Sequence, residues 1–170
     1  MMEYSSGLAS IINNSNITDN LRDGVPSPYT EADAVNWIAM TVKVNDPPRF
    51  FAIFFSDLLS GSIGLVRKDD VYRMNMEVGY FLAEDLWGKG IMTKAITAAV
   101  TYAFSSFDIV RVYAEVFADN PGSRRALEKS GFSCEAVLKK NIIKKGIIKD
   151  SCIYSVLREN FRLAGITVTN

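Results

Sequence analysis

A chain of 170 residues with nineteen basic and nineteen acidic side chains has no net charge and contains no histidine. The length fits one domain with a sizeable core, residues 1–170, and the balanced charge provides no global field for nucleic acid or an anionic membrane surface. Without histidine the commonest general base and metal ligand are missing, so Ser-His-Asp and Cys-His catalysis are excluded and no metal is expected on the distant Cys134 and Cys152.

The first residues have neither a basic leader nor a continuous apolar core, and no apolar run approaches the roughly 20 residues of a membrane-spanning helix. The expected location is cytoplasmic, with the cysteines as free thiols packed in the core. Residues 1–22 read as an atypical, polar and weakly helical segment anchored by Leu8, Ile11, Ile12 and Leu21. A rigid loop, Gly24–Pro28, follows. Thr30 and Asp33 form a capping pair for a helix through Val35, Trp37, Ile38 and Val42, which Asp46-Pro47-Pro48 breaks. Strands are predicted over Arg49–Ser56, from Gly61 to Val66 after an Asp57–Ser60 turn, and over Met76–Leu82. An amphipathic helix then buries Met92, Ala95, Ile96, Ala99, Val100 and Ala103, with Thr93, Lys94, Thr97 and Thr101 opposite. Ile109–Phe117 reads as a strand. Asn120-Pro121 starts a helix and Gly131 stops it. Phe132–Leu138 and Ile147–Leu157 pair around Lys144-Lys145-Gly146. The order β-β-β-α-β-α-β-β predicts a mixed α/β fold with a mostly antiparallel sheet flanked by helices.

The most informative stretch is Glu77–Phe104, where a strand leads through Trp87-Gly88-Lys89-Gly90 straight into a helix. No Ser, Thr, Asp or Asn caps Ile91, so the first-turn N–H groups need another partner. Glycine backbone and the positive helix end together suit a phosphate group. Neither a Walker loop nor a full G-x-G-x-x-G is present, so the loop alone reads equally as a tight turn.

Three motifs in order, VGYFLAEDLWGKGIMTKAI, IVRVYAEVFADNPGSRRALEKSGF and KKGIIKDSCIY, resemble the GNAT superfamily of acetyl-CoA-dependent N-acetyltransferases. They look most like its RimJ/RimL-type branch, which includes enzymes that acetylate ribosomal proteins. The resemblance covers roughly residues 20–158. It implies transfer of an acetyl group from acetyl-CoA to a primary amine, a protein N-terminus or small molecule, by direct attack in a ternary complex. A non-catalytic acyl-CoA-binding or protein-interaction module is the alternative. By the same resemblance, backbone N–H groups of Trp87, Gly88, Lys89, Gly90, Ile91 and Met92 would hold the coenzyme diphosphate. The main chain at Tyr80, Phe81 and Leu82 would hold the pantetheine arm, and the Asn120 amide would reach toward it. Three departures stand out. Asp85 replaces the usual Gln or Arg, with Glu84 beside it. Leu127 occupies the position of a tyrosine general acid. The superfamily's first strand is missing, so residues 1–22 either substitute for it or leave a sheet edge open, which leaves room for a homodimer.

Acetyl transfer to an amine needs a base for the ammonium proton and an acid for the departing thiolate. Glu77, sharing a strand face with Gly79 and Phe81, is the candidate base, acting through water; an exposed or ion-paired edge glutamate is the alternative. Glu115 is a second candidate, or a partner for Arg111. Ser123 matches a branch serine that could protonate the sulfur, or it only serves the helix start. Asp150 and Tyr154 either shape the acceptor pocket or pack. Lys139, Lys140, Lys144, Lys145 and Lys149 form a basic hairpin that meets a phosphate or an acidic acceptor, or is merely solvated.

Overall fold

The computed structural model describes residues 4–43 and 47–161. Six strands form one sheet in the order β1-β2-β3-β4-β6-β5. These are β1 (Phe50–Phe55), β2 (Leu58–Arg67), β3 (Asn75–Leu82), β4 (Arg111–Phe117), β5 (Ser133–Lys144) and β6 (Ile147–Leu157). All neighbours run antiparallel except β3 and β4, which are parallel.

One face of the sheet packs against α4 (Ile91–Ser106) and α5 (Pro121–Lys129). Met92, Ile96, Ala99, Val100, Ala103 and Phe104 of α4 are buried against Leu65, Met76, Val78 and Val112. This is the stripe that the 3.6-residue period announces. Each large side chain so buried contributes about 1.5–3 kcal/mol. Arg158 closes the far end of α4, donating to the carbonyls of Phe104, Phe107 and Ile109 at 2.5, 2.8 and 2.8 Å. A cation at a helix C-terminus satisfies acceptors that the helix cannot.

The opposite face is covered at the β1–β3 end by α1 (Ser5–Ile12) and α3 (Glu31–Lys43), with the short α2 (Ser15–Thr18) beyond them. Leu8, Ala9, Ile12, Tyr29 and Ala34 form a second apolar cluster there, against Phe81 and Leu59. Thr30 and Asp33 cap α3 reciprocally, Thr30 N–H donating to Asp33 Oδ2 at 2.8 Å and Asp33 N–H to Thr30 Oγ1 at 3.2 Å. The buried positions of α3 are Ala34 and Thr41, whereas Trp37 and Val42 are exposed. Asp46 lies outside the described residues.

Several predicted boundaries shift. The first hairpin turns on Ser56-Asp57, both at positive φ (49° and 63°), so β2 begins at Leu58 rather than Gly61. Two-residue hairpin loops with both φ positive usually carry Asn or Gly, and Ser-Asp hides that signal. β5 runs on through bulges to Lys144, leaving Lys145-Gly146 as the turn. β4 starts at Arg111, two residues late. Residues 5–18 are largely helical and do not supply a substitute strand; among the described residues no strand precedes α1, and β1 is a sheet edge.

Candidate active site

The defining feature is a parting of the sheet. β3 and β4 pair only at Asn75–Arg111, Met76–Val112 and Glu77–Tyr113. Beyond Glu77, β3 stays with β2 through Leu82 and β4 stays with β6 through Phe117. A wedge therefore opens between the two halves, with Glu77 at its vertex. Strand edges facing a gap carry unpaired main-chain groups, which an extended ligand can satisfy.

Two helices begin beside this wedge. At α4 the cap is Gly90, in the left-handed region (φ 76°) with no side-chain cap bond. Gly88 has the same φ, and a Cβ added at either glycine would meet nothing within 4 Å. The helix start is thus uncapped and faces open space, which fits a diphosphate. The Trp87 indole pins the loop by donating to the Leu82 carbonyl at 2.8 Å. The Glu84 carboxylate is turned to the N-terminal segment, its oxygens accepting from Asn14 Nδ2 and Asn16 Nδ2 at 2.5 and 2.7 Å. Asp85 is exposed.

At α5, Asn120 caps as its sequence suggests, Oδ1 accepting from Ser123 N–H at 3.0 Å. The Ser123 hydroxyl is left for other work. Its Oγ lies 2.7 Å from Tyr80 Oη, so a β3 side chain and an α5 side chain meet across the wedge. Burial pushes the Tyr80 phenol up to about 12, against the opposing effect of Ser123, so it stays protonated. Tyr80 thus brings a side-chain hydroxyl to the wedge in addition to the main-chain role expected of it. Leu127, at the expected tyrosine position, is fully buried in the core.

On the other face, the Glu77 carboxylate accepts from Arg22 NH2 at 2.5 Å, Lys68 Nζ at 2.6 Å and Tyr113 OH at 3.3 Å. Burial alone would raise its pKa, but Lys68 and Arg22 outweigh burial and hold it below the usual carboxylate range. The ion-paired alternative therefore describes its contacts, and it is ionised at neutral pH. Glu115 accepts from Asn141 and Ser151 at 2.9 and 2.8 Å and sits 3.5 Å from Arg22. Arg111 is not its partner, pairing with Glu135 instead. A cleft of about 220 Å³ beside this cluster is lined by Arg22, Asp23, Glu115, Phe117, Ile142 and Lys144, among others.

Other candidates fall elsewhere. Tyr154 is buried on the α5 side, donating to Glu128 at 2.8 Å, and Asp150 pairs with Lys139. Neither lines the cleft. The basic hairpin is largely neutralised: Lys144 pairs with Asp23, Lys145 with Asp19 and Lys149 with Asp119. Cys152 is buried, but Cys134 is exposed and is not a core residue. No helix among the described residues is long and apolar enough to cross a membrane.

The structure thus combines a parted sheet with an uncapped, glycine-flanked helix start. Residues 6–133 match the acetyltransferase (GNAT) domain, and the chain belongs to that family. It is 36% identical to the probable N-acetyltransferase YjcK of Bacillus subtilis (strain 168) over 114 residues, 66% of this chain and 63% of that protein. It is 32% identical to the putative ribosomal N-acetyltransferase YdaF of the same strain over 109 residues, 64% and 59% of the two. These matches span less than two thirds of either relative. Among solved structures, the RimL ribosomal L7/L12 α-N-protein acetyltransferase in complex with coenzyme A has a TM-score of 0.80 at 17% identity, covering 92% of this chain and 90% of that one. The spermidine N-acetyltransferase from Vibrio cholerae, in complex with coenzyme A and spermine, gives 0.76 at 21%, covering 94% and 92%. At these identities the likeness is one of fold.

Proposed function

We propose that the protein transfers an acetyl group from acetyl-CoA to a primary amine, on a small molecule or a protein N-terminus. The observation that carries this reading is the wedge itself: a hydroxyl pair, Tyr80–Ser123, on one face, a carboxylate, Glu77, on the other, and an open helix start alongside. Backbone N–H groups from Trp87 to Met92 hold the diphosphate, and the β3 edge at Tyr80–Leu82 holds the pantetheine arm. Bound acetyl-CoA supplies an activated acyl carbon and a thiol leaving group. The chain supplies proton handling and position.

Ser123 Oγ, held by Tyr80 Oη, is the proton donor at the wedge, and the proton it gives to the departing sulfur is replaced through Tyr80 Oη by the one the nitrogen sheds as the amide forms. A phenol held near 12 stays protonated at neutral pH and so keeps its hydrogen bond to Ser123 Oγ in place. Glu77, as an ionised carboxylate, draws the incoming ammonium in and orients the water through which that group's proton leaves to solvent. The acceptor side is the face of Glu77, Glu115 and the adjoining cleft, away from α4 and α5.

Thiol release measured on the full chain with acetyl-CoA and a panel of primary amines tests this reading. Release with at least one amine is expected. Coenzyme binding without release for any amine would replace the transferase with a binding module.

A further inference from the structure

Arg22 reaches from the loop after α2 over the vertex of the wedge. Its NH2 group lies 2.5 Å from Glu77 Oε1 and 3.5 Å from Glu115 Oε2. The arginine side chain is 66% exposed, while that of Glu77 is 12% exposed. A solvated cation is thus laid onto a buried carboxylate from the cleft side.

Each carboxylate keeps other partners when it leaves. Glu77 keeps Lys68 and Tyr113 on Oε2, and Glu115 keeps Asn141 and Ser151 on Oε1. The loop that carries Arg22 is held independently. Buried Lys144 donates to the Leu21 carbonyl at 2.8 Å and to Asp23 at 2.7 Å, and Lys145 pairs with Asp19. The Arg22 side chain can therefore leave while the backbone stays. Arg22 is largely solvated while seated, and Lys68 still pairs Glu77 when it swings out, so the contact can exchange.

We infer that Arg22 is an internal stand-in for the acceptor, a displaceable guanidinium occupying the place between Glu77 and Glu115 that the acceptor's ammonium takes. This rests on the transferase reading of the site. With Arg22 in place, the Oε1 side of Glu77 is occupied, so an amine reaches it only after the side chain swings toward solvent. The apparent affinity for the amine is lowered by the fraction of time Arg22 is seated. The device favours acceptors cationic enough to compete with a guanidinium, and it keeps a buried anion covered while no acceptor is bound.

The test uses the full chain saturated with coenzyme A and titrated calorimetrically with spermidine as the cationic probe. R22Q is expected to bind spermidine on the order of fivefold more tightly than the parent, with coenzyme affinity unchanged. R22K should fall between the two. The gain should vanish in R22Q/E115Q, and in turnover R22Q should lower KM for the amine with little change in kcat. R22Q binding spermidine no more tightly than the parent, absence of binding in both included, overturns the proposal, as does a gain that survives E115Q. If neither protein releases thiol with any amine, the transferase reading fails, while the binding comparison still decides the role of Arg22.

Discussion

Tyr80 and Ser123 place their hydroxyl oxygens 2.7 Å apart across the gap where β3 and β4 separate. They come from elements that only the folded chain brings together. If this pair delivers the proton, Y80F and S123A should each lower kcat about 10- to 100-fold with little change in coenzyme affinity. The double variant should be barely worse than either single one, because members of a unit are not additive. Y80F keeps the buried ring, and S123A keeps the main-chain N–H that Asn120 caps, so thermal melts should stay close to the parent.

The glycine loop makes a separate prediction. Gly90 has φ 76°, and a Cβ there would project into open space. G90A should cost about 1–2 kcal/mol of stability from the left-handed backbone alone. Its loss of coenzyme affinity, measured by calorimetry at a temperature where the variant is folded, should exceed what the fraction unfolded explains. Equal affinity would mean the ligand lies elsewhere.

Glu77 ties stability to acid. Its folded pKa is depressed, so its stabilisation is fully present above the unfolded value of roughly 4.3 and is lost as pH falls through the lower folded value. E77Q should unfold about 2 kcal/mol more easily at neutral pH, since Lys68 loses its anion. That difference should hold from about pH 5 upward and close as pH drops below about 4. Denaturant melts of both proteins across this range check it.

Lys144 is the anchor of the loop that carries Arg22. It is 8% exposed and bonded to both Leu21 and Asp23. K144M should lower stability by about 1–3 kcal/mol, because the Leu21 carbonyl loses its donor. It should also speed hydrogen exchange at residues 19–23 before any effect appears at Gly88–Met92.

What could be read from the sequence was local. The alanine stripe of α4, the Asn120-Pro121 start of α5 and the Thr30–Asp33 cap each lie within a few residues, and each folds as its pattern says. What could not be read was contact over distance. Arg22 and Glu77 are 55 positions apart, Tyr80 and Ser123 are 43 apart, and Asn16 and Glu84 are 68 apart. No periodicity connects such pairs. Their only trace in the sequence was indirect: an arginine and several amides in an otherwise plain N-terminal segment. Lys144 was misread for a related reason, since a lysine beside a turn usually faces water, and only the loop laid over it makes the position buried.

In the proposed transferase, main-chain amides at the start of α4 grip the coenzyme diphosphate. Titrating coenzyme A into the ¹⁵N-labelled full chain and following the amide signals tests it directly. Signals from Gly88, Lys89, Gly90, Ile91 and Met92 are expected to shift together and to saturate with the calorimetric isotherm. Unmoved signals from these residues at saturating coenzyme, or no heat of binding at all, would contradict it.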